Sequence, residues 1–512
     1  MRANRSIMVQ GTSSNVGKSL LCTALCRIFA QDGYLTAPFK AQNMALNSTV
    51  TPEGGEIGRA QGVQAEAAGV APSVLMNPIL MKPKQDNQAQ IITLGVPYAD
   101  MSATAYRHDF LPGAVSIVRD CLDKLQAQYE VLVIEGAGSP AEINLKDRDI
   151  VNMKTAQLAD APVLLAADID RGGVFASLIG TLELLEPLER QRIKGFIINK
   201  FRGDMSLLQP GLDFLSQRTG IPVLGVVPYW HDHGIDEEDS VCLAEENDWG
   251  GDHAAVQVAV IQLPHISNFT DINAFIGLPD CRVRYVQPGE AIGDADLLII
   301  PGTKNSILDL LYLQEHGYNK QICRLADRGA YVAGICGGFQ MLGRELRDPQ
   351  GIEADRGSLR GLGLLPVSTW FGAKKTTHQA RAEIISDLGI WQTLQRQQVT
   401  GYEIHMGQTV LIDGGQSLTR IFSRSGECCS VVDGACSDNG RIFGTYLHGI
   451  FDNAAVTLAI MNEIRRGKGL ADMNSADLPC EQRQRKYDEW AQLVRDSLDM
   501  DKIYRIMGLR ED

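Results

Sequence analysis

Residues 331–342 read YVAGICGGFQML, and this stretch decides the fold of the second half of the chain. A short apolar run leads into Gly-x-Cys-x-Gly, and a helix-forming pattern follows. This order predicts a sharp strand-to-helix turn, the nucleophile elbow, with Cys336 in place of the usual serine. Glycines on both sides let the backbone follow a strained path. The first amides of the helix, beginning with that of Gly337, are predicted to stabilise an oxyanion and to favour the thiolate.

A histidine follows a second apolar strand of the same half, where residues 445–449 read TYLHG. A cysteine in a glycine-rich turn is by itself compatible with a buried structural thiol. Together with His448 as a base, however, Cys336 forms the minimum set for nucleophilic acyl transfer. A third strand is followed by a loop at residues 301–305, PGTKN. The backbone amide at Gly302 in this loop is predicted to be the second donor to the oxyanion.

The first half opens with a strand, a glycine-rich loop and a helix, and the loop at residues 11–19 reads GTSSNVGKS. This context predicts a phosphate-binding loop for ATP, in which backbone amides and Lys18 hold the phosphates. Its predicted ATP-binding residues are Gly11, Thr12, Asn15, Val16, Gly17, Lys18 and Ser19. A later strand ends on Glu135, and this carboxylate together with the Ser19 hydroxyl is the predicted Mg²⁺ site.

Buried strands alternate with helical patterns throughout both halves, and polar loops follow the strand ends. This pattern predicts an α/β fold with two doubly wound, mainly parallel sheets. We expect a P-loop ATP-dependent domain at residues 1–230 and an acidic linker at 231–253. A second α/β domain at 254–455, which contains Cys336 and His448, and a helical C-terminal tail at 456–512 complete the expected order.

Composition narrows the possible functions of the 512 residues. A net charge of −14 argues against a nucleic-acid-binding surface. The sequence has no apolar run of the roughly 20 residues that span a membrane, and no signal-peptide pattern at its start. The eleven cysteines form no C-x-x-C pair, which favours a reducing compartment. We therefore expect a cytoplasmic protein without nucleic-acid or membrane partners; its oligomeric state is not predicted.

The elbow and the TYLHG stretch resemble a class I, triad-type glutamine amidotransferase domain, and the phosphate loop resembles that of dethiobiotin synthetase relatives. Five further stretches resemble the cobyric acid synthase family: FKAQNM at 39–44, GSPAEINL at 138–145, DIDRGGVF at 168–175, LPHISN at 263–268 and GYEIHMG at 401–407. This resemblance implies ATP- and glutamine-dependent amidation of four carboxylates of a corrinoid, adenosylcobyrinic acid a,c-diamide. The alternatives are the sister enzyme that amidates the a and c carboxylates, and a partition-type ATPase with an inactive amidotransferase domain.

The resemblance also implies site roles. Asn199 corresponds to the residue that contacts adenine in dethiobiotin synthetase relatives. Gln42, Asn43 and Asn47 stand where related amidoligases carry acids, which favours substrate contact over metal binding. Triad amidotransferases carry a glutamate two residues after the histidine, but this chain has Ile450 there. We therefore predict a Cys336–His448 dyad, in which neither Glu403 nor Asp452 orients the histidine and His405 is structural.

Overall fold

The chain forms two compact units in the computed structural model, which describes residues 5–85, 88–230, 234–235, 247–251, 253–354 and 357–510. The first unit contains Met1–Ala45, Glu56–Ile235 and Gln484–Asp512, and the second contains Leu46–Gly55 and Asp236–Arg483. The units differ from the predicted domains in two places. A short segment of the first half belongs to the second unit, and the end of the tail belongs to the first. The predicted acidic linker falls mostly outside the described residues.

The first unit is built on a six-stranded sheet in the order β12-β11-β10-β1-β9-β2, in which every neighbouring pair is parallel. Its inner strands are mainly apolar and largely buried, because helices cover both faces. The chain between β2 and β9 forms a separate four-stranded sheet in the order β3-β6-β7-β8. The strands of the first half are β1 Arg5–Gly11, β2 Thr36–Phe39, β3 Gln42–Met44, β4 Ser48–Val50, β5 Glu56–Gly58, β6 Ile79–Gln85, β7 Gln88–Thr93, β8 Val96–Ser102, β9 Val131–Glu135, β10 Val163–Asp168, β11 Ile193–Phe201 and β12 Val223–Pro228.

Helices pack on both faces of this sheet, and the C-terminal helices complete one of the two apolar layers. Trp490 is buried in that layer and donates a hydrogen bond from Nε1 to the carbonyl of Leu20, 2.7 Å away. The tail therefore supports the helix that follows the phosphate loop. The helices are α1 Lys18–Gln31, α2 Arg59–Ala67, α3 Ala103–Ala105, α4 Leu111–Gln128, α5 Met153–Leu158, α6 Val174–Leu184, α7 Pro187–Arg190 and α8 Met205–Thr219.

The second unit has a seven-stranded sheet in the order β13-β15-β14-β16-β17-β25-β24, parallel in its five inner strands. A further sheet, β19-β18-β20-β22-β23 with β21 on β20, is mainly antiparallel and was not predicted. The strands are β13 Asp248–Trp249, β14 Val256–Ile261, β15 Cys281–Val286, β16 Leu297–Ile300, β17 Tyr331–Ile335, β18 Glu345–Asp348, β19 Gly357–Arg360, β20 Val367–Ile384, β21 Gln398–Leu411, β22 Thr419–Arg424, β23 Glu427–Asp433, β24 Ala435–Cys436 and β25 Ile442–Thr445.

The remaining helices follow the same alternation. They are α9 Ser306–Glu315, α10 Tyr318–Asp327, α11 Gly337–Leu342, α12 Ala454–Gly467, α13 Pro479–Ser497 and α14 Met500–Ile506. The predicted α/β class with two mainly parallel sheets and a helical C-terminal region is confirmed. Within the described part of the chain, no helix combines the length and the apolar character needed to cross a bilayer.

Candidate functional site

Cys336 lies at the turn between β17 and α11, as the elbow motif predicts. It is a non-glycine residue with φ 52° and ψ −105°, a conformation that costs energy and is typical of functional turns. Its amide donates to the carbonyl of Thr445, 2.9 Å away at the end of the neighbouring strand β25. Its Sγ donates to the carbonyl of Ile404 at 3.5 Å. The parallel pairing of β17 and β25 thus brings the cysteine close to the TYLHG stretch.

His448 follows β25 and is held by a carboxylate, that of Asp271. The His448 Nδ1 lies 2.7 Å from Asp271 Oδ2, and the amide of Gly449 donates to the other oxygen at 2.6 Å. Both side chains are buried. The predicted dyad without an orienting carboxylate is therefore wrong. A carboxylate does occupy the third position, but it comes from the turn after β14 rather than from the chain after the histidine.

The other contacts of His448 fix the plane of its ring. Tyr402 stacks on the imidazole with centroids 5.1 Å apart and an interplanar angle of 17°. Backbone bonds of 2.9 and 3.0 Å link the same two residues. The buried Nε2 has no hydrogen-bond partner within the described residues. This is the nitrogen that can exchange a proton with a substrate, because Asp271 holds the other one.

The charge state of His448 depends on its neighbours. Burial lowers the pKa of the imidazole, but the Asp271 carboxylate and the Cys336 sulfur more than offset it and raise the pKa to about 10. The site therefore favours the imidazolium at neutral pH.

Gly302 and Gly337, the predicted oxyanion residues, lie where a side chain would not fit. A Cβ on Gly302 would lie 3.0 Å from His448 Cε1, and a Cβ on Gly337 would lie 2.5 Å from Cγ2 of Thr303. The two glycines thus let the loop after β16 and the start of α11 approach each other beside the histidine. This arrangement is compatible with the predicted pair of backbone donors.

The described side-chain contacts of Glu403, Asp452 and His405 are with residues other than His448. Glu403 accepts two hydrogen bonds from Arg424, at 2.7 and 2.8 Å. Asp452 lies 3.3 Å from Arg483. His405 stacks on a buried tyrosine with centroids 3.8 Å apart, and its Nδ1 lies 2.8 Å from the carbonyl of Gly407. These contacts fit the predicted structural role of His405.

In the first unit, the phosphate loop runs from the end of β1 to the start of α1. The loop contains all seven predicted ATP-binding residues from Gly11 to Ser19 and places Lys18 and Ser19 in the first helical turn. Gly17 has φ 90°, and a Cβ there would lie 2.2 Å from Asn199 Nδ2. Lys18 Nζ donates to the carbonyls of Ser13 and Gly138 at 2.9 and 3.2 Å. The ammonium group therefore lies across the loop, where phosphates would bind.

Glu135 ends β9 and accepts three side-chain hydrogen bonds. Ser19 Oγ and Lys40 Nζ each lie 2.8 Å from one oxygen, and Gln64 donates to the other at 2.6 Å. Burial raises the pKa of this carboxyl, but Lys40, with the hydrogen bonds from Gln64 and Ser19, outweighs burial and lowers it overall. Glu135 is thus a buried, charged carboxylate beside the phosphate loop.

Three further residues of the first half that were predicted to contact ATP or substrate are buried and bonded to other parts of the protein. Asn199 is buried and donates to the carbonyl of Val16 at 2.8 Å, so it supports the phosphate loop in this conformation. Asn43 is also buried and donates to Gln61 at 3.0 Å. Asn47 is fully buried and belongs to the second unit, where it accepts from the amide of Phe269 at 3.1 Å. The described bond of Asn47 is therefore a structural one, and its contact with a substrate stays a prediction.

Comparisons with known proteins identify a family for both halves of the chain. Residues 7–238 match the CobQ/CobB/MinD/ParA nucleotide binding domain, and residues 257–456 match the CobB/CobQ-like glutamine amidotransferase domain. The chain is 58% identical to the cobyric acid synthase of Desulforamulus reducens, over 100% of its own length and 99% of that relative. The chain belongs to the cobyric acid synthase family. Cobyric acid synthases of Caldanaerobacter subterraneus and Salmonella heidelberg are 50% and 49% identical, each over 99% of both chains.

As a member of the cobyric acid synthase family, the protein is an ATP-dependent, glutamine-hydrolysing amidoligase. Its sequence held signals for site residues that were not predicted. Tyr402 lies in the GYEIHMG stretch and Lys40 in the FKAQNM stretch, both of which carry the family resemblance. Asp271 closes the LPHISNFTD stretch after β14. An acid beyond the carboxyl end of a parallel strand is the same signal that identified Glu135.

Proposed function

We propose that the protein amidates the b, d, e and g carboxylates of adenosylcobyrinic acid a,c-diamide, with glutamine as the nitrogen source and ATP as the activating substrate. The observation that carries the proposal is the presence, in one chain, of a buried Cys–His–Asp arrangement and a phosphate loop beside a charged carboxylate. The similarity of the chain to cobyric acid synthases supports a corrinoid as the substrate that is amidated. An intact Cys336–His448–Asp271 arrangement speaks against an inactive amidotransferase domain.

In the glutaminase reaction, the Cys336 thiolate attacks the carboxamide carbon of glutamine. The amides at Gly302 and Gly337 stabilise the oxyanion that forms. His448 then gives the Nε2 proton to the departing nitrogen, the C–N bond breaks, and ammonia leaves behind a glutamyl thioester. The same nitrogen removes a proton from water, which hydrolyses the thioester to glutamate. Asp271 holds the ring and stabilises its positive charge throughout.

In the synthetase reaction, a corrinoid carboxylate attacks the γ-phosphorus of ATP and forms an acyl phosphate. Ammonia displaces the phosphate and leaves a carboxamide. Lys18 and the loop amides neutralise charge on the transferring group. Ser19 Oγ lies 2.8 Å from Glu135 Oε1. A hydroxyl and a carboxylate oxygen are ligand types that suit Mg²⁺, which these two residues would hold. Bound Mg²⁺ would supply further charge neutralisation on the phosphates.

Mass spectrometry of the corrinoid product tests the substrate assignment. The full chain is incubated with ATP, glutamine and adenosylcobyrinic acid a,c-diamide, and we expect four successive carboxylate-to-amide conversions. The matched incubation uses cobyrinic acid as the acceptor. Two conversions of cobyrinic acid and none of the diamide would instead identify the sister activity, and a diamide left unchanged would contradict the proposal.

Asp271→Asn is expected to lower glutaminase kcat by about 10²- to 10⁴-fold, since loss of the orienting acid costs about 10⁴ in serine triads and cysteine depends less on it. The Asp271 carboxylate raises the pKa of His448. The ion pair between them therefore contributes fully to folding stability at pH values below the ordinary histidine pKa, and this contribution is lost as pH rises through about 10. In Asp271→Asn, the alkaline limb of the kcat/KM profile should therefore move to lower pH. Asp452→Asn is the matched control and should keep the wild-type profile. Equal losses in the two variants would contradict the assignment of Asp271.

A further inference from the structure

The turn that carries Asp271 is a short 3-10 helix, Phe269–Ala274, and it begins from an unusual conformation. Asn268, the residue before it, has φ 52° and ψ 43°, in the left-handed region that asparagine tolerates better than most residues. Asn268 is buried, so its side-chain amide requires hydrogen-bond partners inside the protein. The position of the Asp271 carboxylate depends on what holds this turn.

The described contacts at the start of the turn come from residues far away in sequence. Asn47 Oδ1 accepts from the amide of Phe269 at 3.1 Å. The amide and hydroxyl of Ser48 donate to Asn268 Oδ1 at 3.0 and 3.4 Å. Asn47 and Ser48 are at most 1% exposed, so these hydrogen bonds are shielded from water. A buried amide left unpaired would be costly, and this favours a single position of the turn.

Asn47 and Ser48 belong to residues 46–55, which we call the arm. The arm lies between β3 and β5, strands of the ATP-binding half, but it packs in the amidotransferase unit. Gln379 of β20 donates to the carbonyl of Val50 at 2.8 Å. The arm then turns back on itself, with Thr51 bonded to Gly55 at 2.8 Å through the backbone. The arm is therefore anchored independently of its contact with the Asp271 turn.

We propose that Asn47 and Ser48 are positioning residues of the glutaminase: they hold the turn that places Asp271 on His448. The chain of contacts runs from Asn47 and Ser48 to the 268–269 backbone, from there to Asp271, and from Asp271 to the imidazole. The proposal rests on the glutaminase role proposed above for Cys336, His448 and Asp271. It assigns to the ATP-binding half of the sequence a part in glutamine hydrolysis, which the arrangement of the two matched domains does not indicate.

Steady-state glutaminase kinetics of Asn47→Ala in the full chain test this proposal. A misplacement of about 1 Å in a catalytic group can cost about 10²-fold. We therefore expect kcat to fall by about 10- to 100-fold, with KM for glutamine unchanged and the alkaline limb of the pH profile moved to lower pH, as in Asp271→Asn. Thr49→Ala, in the same arm but without a described bond to the turn, is the matched control and should behave as wild type.

A double-mutant cycle separates positioning from a general loss of structure. If Asn47 acts through Asp271, adding Asn47→Ala to Asp271→Asn should change kcat by less than about twofold, because interacting residues are not additive. Fully additive losses would overturn the proposal, and so would wild-type kcat and pH profile in Asn47→Ala. Asn268→Gly is the second variant, because glycine keeps the left-handed backbone while removing the acceptor of Ser48; it should reproduce the kcat loss.

The two proposals can fail separately. Wild-type protein that does not hydrolyse glutamine, or a Cys336→Ala variant that still does, would contradict the glutaminase function itself. Normal hydrolysis by Asn47→Ala and Asn268→Gly, alongside an inactive Cys336→Ala, would leave that function in place and remove the positioning role of the arm.

Discussion

Cys336→Ala is expected to abolish glutamine-dependent amidation while leaving amidation supported by free ammonium salts. The thiol is the nucleophile that attacks glutamine in the proposed glutaminase reaction, and alanine has no group that can form the thioester. The phosphate loop and Glu135 belong to the other compact unit, so their chemistry does not require the sulfur. The measurement is corrinoid amidation by mass spectrometry with glutamine or ammonium chloride as the nitrogen source, together with glutamate release.

Cys428→Ala is the matched control for this experiment. Cys428 is an exposed cysteine of β23 in the same unit, and its replacement should change neither nitrogen-source activity. Retention of glutamine hydrolysis by Cys336→Ala would contradict the nucleophile assignment. Loss of ammonium-supported amidation in a folded Cys336→Ala protein would show that the two reactions are not divided between the units as proposed.

The parallel sheets were predictable because their strands are buried on both faces. Such strands read as short continuous apolar runs, and the residues that follow them mark the carboxyl edge of the sheet. The strand predicted before the phosphate loop is β1, Arg5–Gly11, and the apolar run before the elbow is β17, Tyr331–Ile335. The Gly-x-Cys-x-Gly and Gly-Lys-Ser patterns located the elbow and the phosphate loop for the same reason, since each motif requires a strand, a turn and a helix in that order.

The mainly antiparallel sheet was not predictable from the same signals. Its two longest strands, Val367–Ile384 and Gln398–Leu411, mix polar and apolar residues and have irregular pairing around Phe371. Their pattern is set by which positions face the core, and this depends on the register between strands distant in sequence. The backbone contact of Tyr402 with His448 is a consequence of that packing.

The carboxylate that contacts His448 was not predicted because the two residues are distant in sequence. Asp271 and His448 are 177 residues apart in the chain. Glu403 and Asp452, the two carboxylates weighed as partners of His448, are closer to it in sequence. The contacts of the arm, residues 46–55, were likewise not predictable, because they join residues far apart in sequence. Nothing in the local pattern of Asn47 indicates that its partner is the backbone of Phe269, 222 residues away in the chain.

Lys18→Ala is expected to lower amidation by about 10³-fold or more with either nitrogen source, a loss comparable to removing other cationic groups that stabilise phosphoryl transfer. Lys18 Nζ lies across the phosphate loop, within 2.9 Å of the carbonyl of Ser13. Its removal would take away the cation that we expect to neutralise charge on the transferring phosphoryl group. The measurement is the initial rate of corrinoid amidation with glutamine and with ammonium chloride at saturating ATP.

The glutaminase site is the internal reference in the Lys18→Ala protein. Cys336 should still be alkylated by a glutamine analogue at the wild-type rate, because alkylation needs the thiol and not the phosphate-binding charge of Lys18. Lys124→Ala, an exposed lysine of α4, is the matched control and should keep both reactions. An Lys18→Ala enzyme with half of the wild-type amidation rate would contradict the role of this lysine. If amidation is lost while alkylation persists, the defect lies in acyl phosphate formation, because ammonium chloride supplies nitrogen without the thiol.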